Sequence, residues 1–395
     1  MFFDRKVNQM INVVLLHEGA LPTVEETYRS FQYLVKNYGI SLTKIDTVHE
    51  KTLNLDAIDV IVCVRGHSPM IYGILKVAAR HNKKIYFLLD DALKDLPKGS
   101  FWYPERKKWL MKCLSTSDGL LASNQLIADE YKRYIKGKQV IVINTAIDPL
   151  SIQKPRKIDE NVRVVMAASE WHTENFERYI KPIIPQLMER FKGKIDLYFI
   201  GLHPNLEHNV HIHYVPSMSM SDYVEYMSSN KFDVGIGVLS PNYFTERKYF
   251  NKFIEYTRYG ICGVYTKCMP FELVVKDEIN GFFTQNTPKA WLDALCKAIE
   301  NTEMRRNCIA NAQEYLKEKH NEKYLFAKLV AECPELISYK SVMQCKKYLF
   351  ELIHWRVRQL IFRICERTYL TFSSLSHFGV KTTIAKIKRK LRGSQ

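Results

Sequence analysis

Short apolar runs, each followed by a helical pattern, recur along this chain and restrict its fold more than any other feature. The first run, residues 11–16, is apolar almost throughout, as in a parallel strand that is buried on both faces. A capping box at residues 23–26 and apolar residues at helical spacing then predict a helix, which Gly39 would end. Further strands are predicted at 60–64, 85–89, 119–122 and 140–143, with helices at 70–80, 104–114 and 125–135. This alternation predicts an open parallel sheet with right-handed crossovers.

The pattern stops at a polar segment, residues 151–160, and then starts again. Strands are predicted at 162–167, 195–200, 233–238, 261–266 and 279–284, with helices at 174–191, 252–259 and 288–299. We therefore predict an α/β protein with two Rossmann-like parallel-sheet domains, residues 1–150 and 161–335, joined by the linker 151–160. Ligands of such sheets bind beyond the carboxyl ends of the strands, so we expect the active site in a cleft between the domains.

The composition is typical of a folded protein: 46% of the 395 residues are hydrophobic and 25% are charged. No apolar run approaches the roughly 18–20 residues of a membrane span, and the N-terminus lacks the pattern of a signal peptide, so we expect a cytoplasmic location. The nine cysteines are scattered and contain no Cys-x-x-Cys pair. That spacing favours reduced thiols and argues against a zinc site.

The net charge of +16 is concentrated at the C-terminus. Residues 340–395 contain 13 Lys and Arg against two acids, Glu351 and Glu366, which leaves only +5 for the other 339 residues. A nucleic-acid enzyme would more often spread its basic residues along a groove of the folded body, so we do not expect a nucleic-acid partner. The segment 336–395 is instead interpreted as a separate basic tail.

The segment 247–266 carries the most informative pattern. Asn251 and Lys252 begin a predicted helix, and Glu255 lies one turn later on the same face as Lys252. A helix N-terminus offers free N–H groups and a partial positive charge, which suit a diphosphate, and Lys252 adds a full charge. Glu255 could accept hydrogen bonds from a ribose diol. The alternative is a surface helix with an ordinary Lys–Glu pair.

This segment resembles the nucleotide-binding motif of group 1 (retaining, GT-B fold) glycosyltransferases, which often reads Pro-Asn-Lys-x-x-Glu-Tyr and then Gly. The matching residues are Asn251, Lys252, Glu255, Tyr256 and Gly260. The resemblance implies that Lys252 contacts the phosphates of a nucleotide-sugar donor and Glu255 its ribose, with retention at the anomeric carbon and without a metal or cofactor. Arg247 stands where many relatives carry a second Glu; it could bind phosphate or be a solvated charge.

Four candidates for the acceptor side follow predicted strands of the first half. His17 and Glu18 stand where the resembled family has a Gly-rich loop, and either could act on an acceptor hydroxyl. His67 follows strand 60–64, and Asp91 follows strand 85–89. The alternative for each is a plain turn or a helix N-cap.

Two further donor-side candidates lie in the second half. His172 follows strand 162–167, where relatives usually have a basic residue for the diphosphate; it could equally be part of a helix entry capped by Thr173. Pro216 lies in a segment similar to the loop that flanks the nucleotide base, and could equally be part of a turn.

The tail has an apolar stripe at helical spacing, with arginines on another face. The stripe consists of Leu349, Ile353, Val357, Leu360, Ile361 and Ile364, and the arginines are Arg356, Arg363 and Arg367. A second basic stretch, residues 384–392, has the same character. Such helices lie in the surface of anionic membranes. The alternative is a C-terminal helix that docks on the first domain.

Together these features predict a glycosyltransferase of the hexosyltransferase class, peripheral on the inner face of the plasma membrane. It would move a sugar from a nucleotide-diphosphate donor to a lipid-linked or growing cell-surface glycan. The alternative is a non-catalytic protein of the same architecture, anchored to a membrane or a polyanion by its basic tail.

Overall fold

The computed structural model describes residues 10–19, 21–49, 53–96, 103–135, 137–157, 161–341 and 352–373. The chain divides into two compact units. The first comprises the residues up to 143 and those from 327 onwards; the second comprises residues 144–326. Each contains one six-stranded parallel sheet, which confirms the predicted α/β class with two Rossmann-like sheets.

In the first unit the strands are ordered β2-β1-β3-β4-β5-β6. They are β1 (Asn12–His17), β2 (Ser41–Asp46), β3 (Val60–Val64), β4 (Lys84–Leu89), β5 (Gly119–Ala122) and β6 (Gln139–Val142). The helices between them are α1 (Pro22–Tyr38), α2 (Pro69–Arg80), α3 (Glu105–Thr116) and α4 (Gln125–Tyr131). The order reverses between β1 and β3, so their carboxyl ends form the place where such a sheet binds ligands.

In the second unit the order is β12-β11-β10-β7-β8-β9, with the reversal between β7 and β10. The strands are β7 (Val162–Ala167), β8 (Ile195–Ile200), β9 (Ile212–Val215), β10 (Val234–Gly237), β11 (Cys262–Thr266) and β12 (Phe282–Thr284). The helices are α5 (Thr173–Asn175), α6 (Ile184–Phe191), α7 (Met220–Asn230), α8 (Asn251–Arg258), α9 (Pro288–Glu300) and α10 (Thr302–Lys319). Helix α11 (Glu322–Glu332) contains the unit boundary.

Both faces of the second sheet are buried, as the continuous apolar runs predict. Val164 and Met166 of β7 belong to one apolar cluster, whereas the alternate residues Val165 and Ala167 belong to another on the opposite face. Successive side chains of a strand point to opposite faces, so helices must cover both. The strand ends are therefore the parts of the sheet left for chemistry.

The capping box predicted at residues 23–26 is wrong. Helix α1 begins at Pro22, with Leu21 at the N-cap and no side-chain cap bond. The hydroxyl of Thr23 instead donates a hydrogen bond to Asp90 at 2.7 Å. Pro22 suits the first helical position, so the helix begins one residue before the hydroxyl that was predicted to cap it.

The segment predicted as one helix, residues 174–191, is helical throughout, but it is not a single regular α-helix. The segment consists of α5, a π-helical stretch over Phe176–Ile180, a 3₁₀ turn over Lys181–Ile183, and α6. Pro182 and Pro185 have no N–H to donate to the preceding turn, which accounts for the departure from regular α-helical bonding here.

The chain ends, in the described residues, with α12 (Glu335–Ser338) and a helix over residues 352–373, here α13. Helix α13 docks on the first unit: Trp355 lies in edge contact with Tyr72 and Trp109. Leu349 and the basic stretch 384–392 lie outside the described residues. No helix in the described ranges is long and apolar enough to cross a membrane.

Candidate functional site

Helix α8 begins at the carboxyl end of β10, beside the strand-order reversal of the second unit, and carries the predicted Lys–Glu pair. Lys252 Nζ lies 3.1 and 2.9 Å from the two carboxylate oxygens of Glu255. Phe250 at the N-cap makes no side-chain cap bond to the first-turn N–H groups, of which that of Phe253 donates to the Phe250 carbonyl at 2.9 Å. The two side chains are only 29% and 21% exposed, which distinguishes them from an ordinary solvated pair.

Glu255 is held from a second side by Tyr223 of α7, whose hydroxyl donates to Oε1. Burial, and then the negative charge of Glu255, raise the pKa of Tyr223 well above its usual value, so the phenol stays protonated. Tyr223 was not predicted from the sequence, because α7 itself was not predicted. Its side chain fixes the carboxylate in one orientation before any ligand arrives.

His172 lies close to two lysines at the start of α8. Burial lowers its pKa most, and the positive charges of Lys248 and Lys252 lower it further, to about 4. The imidazole is therefore neutral near pH 7, while the two ammonium groups are charged. Two cations beside an uncapped helix start attract an anion such as a diphosphate. Lys248 was not predicted, because it lies before the helix in an extended conformation and no helical spacing relates it to Lys252.

The remaining donor-side candidates have different surroundings. The Arg247 guanidinium carbon lies 3.4 Å from the ring centroid of Tyr243, and Nη1 donates to the Tyr243 carbonyl at 2.9 Å. Asn251 is exposed at the first position of α8. Pro216 is exposed directly after β9. The carbonyl of the preceding residue, Val215, accepts a hydrogen bond from the Gly201 N–H at 2.8 Å. The structure thus brings together His172, Lys252 and Glu255.

In the first unit, His17 and Glu18 lie at the carboxyl end of β1. The strand extends one residue further than predicted, so His17 is its last residue and not part of the loop; its Nδ1 lies 2.9 Å from the Gly19 carbonyl. The largely buried Glu18 accepts a hydrogen bond from Gln359 of α13 at 3.0 Å. The tail helix therefore contacts the candidate acceptor side directly.

His67 follows β3 and is packed against Arg106 of α3. Arg106 Nη1 lies 3.1 Å from Nδ1 of the imidazole, and the guanidinium is held by two bonds to Glu366 of α13. Burial, then the charges of Arg106 and Arg65, lower the pKa of His67 well below its usual value. His67 is therefore neutral at physiological pH and a weak base, suited to a hydrogen bond and not to taking up or giving up a proton.

Asp91 is part of an ion cluster with Arg65. The Arg65 guanidinium donates to Asp91 Oδ2 at 2.6 Å and binds Asp90 through two bonds, one of 2.6 Å. All three side chains are about four-fifths buried. This pairing fixes the loops after β3 and β4 to each other. In the described part of the chain, no group of three or more His, Cys, Asp or Glu residues is arranged to hold a metal ion.

No protein-family model and no curated protein matches this sequence. Solved structures do match. HepE from Anabaena, solved with UDP-glucose, has a TM-score of 0.57 at 12% identity, over 82% of this chain and 100% of its own. Sucrose-phosphate synthase from Thermosynechococcus elongatus has a TM-score of 0.58 at 11% identity, over 82% and 99%.

A third match is a UDP-N-acetylglucosamine 2-epimerase from Listeria monocytogenes, with a TM-score of 0.57 at 12% identity, over 83% and 97%. At these identities the likeness concerns the fold, which transferases and an epimerase share. The GT-B fold implied by the motif in residues 247–266 is thereby confirmed.

Proposed function

We propose that this chain is a nucleotide-sugar-dependent glycosyltransferase whose donor binds at the start of α8. One observation carries the proposal: Lys248 and Lys252 flank an uncapped helix start, with neutral His172 beside them and Glu255 held one turn further on. The cations and N–H groups suit a diphosphate, and the fixed carboxylate suits the hydroxyls of a ribose.

The same groups account for catalysis. As the bond between sugar and diphosphate breaks, negative charge builds up on the departing phosphate oxygens. Fixed ammonium groups and helix N–H groups bind this charge more strongly than they bind the intact donor, which lowers the barrier. Retention, by attack on the face that the diphosphate leaves, is implied by the group 1 resemblance. We further propose that Arg247, Asn251 and Pro216 contribute to donor binding.

The transferred sugar is proposed to be a hexose, and the acceptor a lipid-linked or growing cell-surface glycan on the inner face of the plasma membrane. HepE was solved with UDP-glucose, which makes this the first donor to test. On the acceptor side we propose roles for His17, Glu18, His67 and Asp91. The neutral imidazole of His67 supports a role in hydrogen bonding.

The experiment begins with a thermal-shift screen of the full chain against nucleotide sugars, because a bound ligand raises apparent stability. Lys252→Ala and Glu255→Gln are then assayed for donor binding and for sugar transfer or hydrolysis. Charge-assisted hydrogen bonds contribute about 1.5–3 kcal/mol, so each change should weaken donor binding by about 10- to 100-fold. The matched control is Lys297→Ala, which removes an exposed Lys–Glu pair of the same unit, with Nζ 2.6 Å from Glu278.

Unchanged donor binding in both variants would remove the proposed site. The non-catalytic alternative is supported by the ion pair between Asp91 and Arg65, because a carboxylate that serves to join two loops has a structural role. Binding of a nucleotide sugar without hydrolysis or transfer would favour that alternative, and an epimerised sugar nucleotide as the product would contradict transfer.

A further inference from the structure

Helix α13 leaves an apolar stripe exposed. Ile353, Val357, Leu360, Ile361 and Ile364 are each more than half exposed, and their spacing places them on one face of the helix. Of the 17 large hydrophobic side chains that are exposed in the described part of the chain, seven lie on this helix of 22 residues. Single exposed apolar residues are ordinary, but a contiguous group of this kind marks an interaction surface.

The stripe is not the face that docks the helix. Leu352, Trp355, Gln359 and Phe362 are buried on the opposite side. Phe362 packs edge-on against Tyr103, and Gln359 accepts a hydrogen bond from the Met70 N–H at 3.1 Å. The helix can therefore bind a partner through the stripe without leaving the first unit.

The charges along the stripe indicate the kind of partner. At 100° per residue, Arg356 and Arg367 lie along one edge of the stripe and Arg358 along the other. Glu366, the acid of this helix, points to the docked side and pairs with Arg106. Arginines can lay their aliphatic stems on apolar surface while their guanidinium groups reach phosphates. An apolar face bordered in this way matches the acyl chains and headgroups of an anionic bilayer.

We propose that α13 lies in the surface of an anionic membrane through this stripe while its opposite face stays docked on the first unit. A second copy of the chain suits the stripe less well. Two such helices face to face would bring their arginine edges together, in a segment that already carries 13 basic residues against two acids.

This inference rests on the proposed function where it concerns the acceptor. Gln359 donates to Glu18 at 3.0 Å from the docked face of the helix that carries the stripe. A helix is roughly 10–12 Å wide with its side chains, so Glu18 lies about one helix diameter from the lipid surface. The acceptor would then be drawn from the bilayer, as a lipid-linked molecule and not a freely diffusing one.

The test is co-flotation of the full chain with vesicles of phosphatidylcholine alone or mixed with phosphatidylglycerol. The wild-type chain should bind the mixed vesicles more tightly than the neutral ones, and less tightly at high salt. The double substitution Leu360→Ser/Ile364→Ser should weaken that binding by about 10-fold or more, because it removes two inserting side chains. Leu150→Ser/Ile279→Ser, at exposed apolar positions of the second unit, is the matched control.

Three results would overturn the proposal: equal binding by the stripe variant and the wild type, no wild-type preference for anionic vesicles, or a dimer in sedimentation that the stripe variant alone abolishes. Donor binding, followed as a thermal shift with UDP-glucose, should be the same in all variants. If the stripe variant loses vesicle binding but keeps donor binding, the result concerns α13 alone. If the wild-type chain binds no nucleotide sugar, the result contradicts the proposed function and not the role of α13.

Discussion

Tyr223 and Glu255 form a hydrogen bond that joins two helices of the second unit, α7 and α8. Lys252 donates to the same carboxylate at 3.1 and 2.9 Å, so Glu255 is held from both sides. Groups that are fixed before the ligand binds lose little freedom on binding, which strengthens recognition. Tyr223 is therefore a positioning residue for the carboxylate that we propose to bind the ribose.

The first prediction concerns this bond. Tyr223→Phe removes the hydroxyl but keeps the ring, so we expect UDP to bind about 10-fold more weakly, since a hydrogen bond to a charged group contributes about 1.5–3 kcal/mol. Inorganic pyrophosphate should bind as before, because it has no ribose. Calorimetric titration with both ligands measures the difference. Tyr226→Phe, the same change on the same helix, is the control; an equal loss for pyrophosphate would refute the assigned role.

The second prediction concerns pH. An ordinary histidine has a pKa of about 6.5 and would become positive, and bind phosphate more tightly, as the pH falls through that value. The pKa of His172 is lowered to about 4, so its charge should not change between pH 8 and pH 5.5. We therefore expect the ratio of UDP affinities of wild type and His172→Gln to stay constant over this range. A ratio that rises as the pH falls through 6.5 would show that the imidazole takes up a proton.

The central strands were predictable because a strand buried on both faces has a continuous apolar run. Residues 60–64 and 162–167 were predicted with the bounds that β3 and β7 have. The missed strands, β2 and β9, are both edge strands. Their sequences, Ser-Leu-Thr-Lys-Ile-Asp and Ile-His-Tyr-Val, mix polar and apolar residues, since an edge strand is partly exposed.

The candidate site was predictable only where its residues are neighbours in the sequence. Lys252 and Glu255 lie one helical turn apart, so their contact follows from helix geometry alone. Tyr223 and Gln359 reach the site residues through tertiary packing, across 32 and 341 positions of the chain. No local pattern carries that information. The same applies to Thr23, whose hydroxyl bonds to Asp90 and not to its own helix.

The third prediction separates a structural from a catalytic reading of Asp91. Arg65→Met would leave the largely buried carboxylates of Asp90 and Asp91 side by side without their cation. Removing one partner of a buried ion cluster costs several kcal/mol, and since these groups are partly exposed we expect a loss of about 2–3 kcal/mol. Their repulsion is relieved when one carboxyl is protonated, so the loss should be larger at pH 7 than at pH 4.5.

Urea unfolding at both pH values measures this loss. Arg29→Met is the control: it removes an exposed pair in the same unit, with Nη1 2.9 Å from Glu26, and should cost less than about 0.5 kcal/mol. Equal stability of the two variants at pH 7 would mean that the Arg65 cluster does not hold the two loops together. Asp91 would then remain an acceptor-side candidate without a structural role.

The last prediction concerns the docking of α13. A Cβ added at Gly73 would lie 2.1 Å from Trp355 Cγ and 2.5 Å from Cδ1, so the indole could not stay where it is. In a helix such as α2, replacing Gly by Ala normally stabilises by roughly 0.5–1 kcal/mol. We expect the opposite for Gly73→Ala: lower stability, and faster hydrogen exchange in residues 352–373 than in α2. Removing the indole ring should restore the ordinary sign of the stability change, so in a Trp355→Ala background Gly73→Ala should be neutral or stabilising.

If Gly73→Ala left hydrogen exchange in residues 352–373 unchanged while Trp355 was present, the tight contact between Gly73 and Trp355 would be contradicted. The proposed route from the membrane stripe through Gln359 to Glu18 would then lose its support, because it requires that the helix be held in one place.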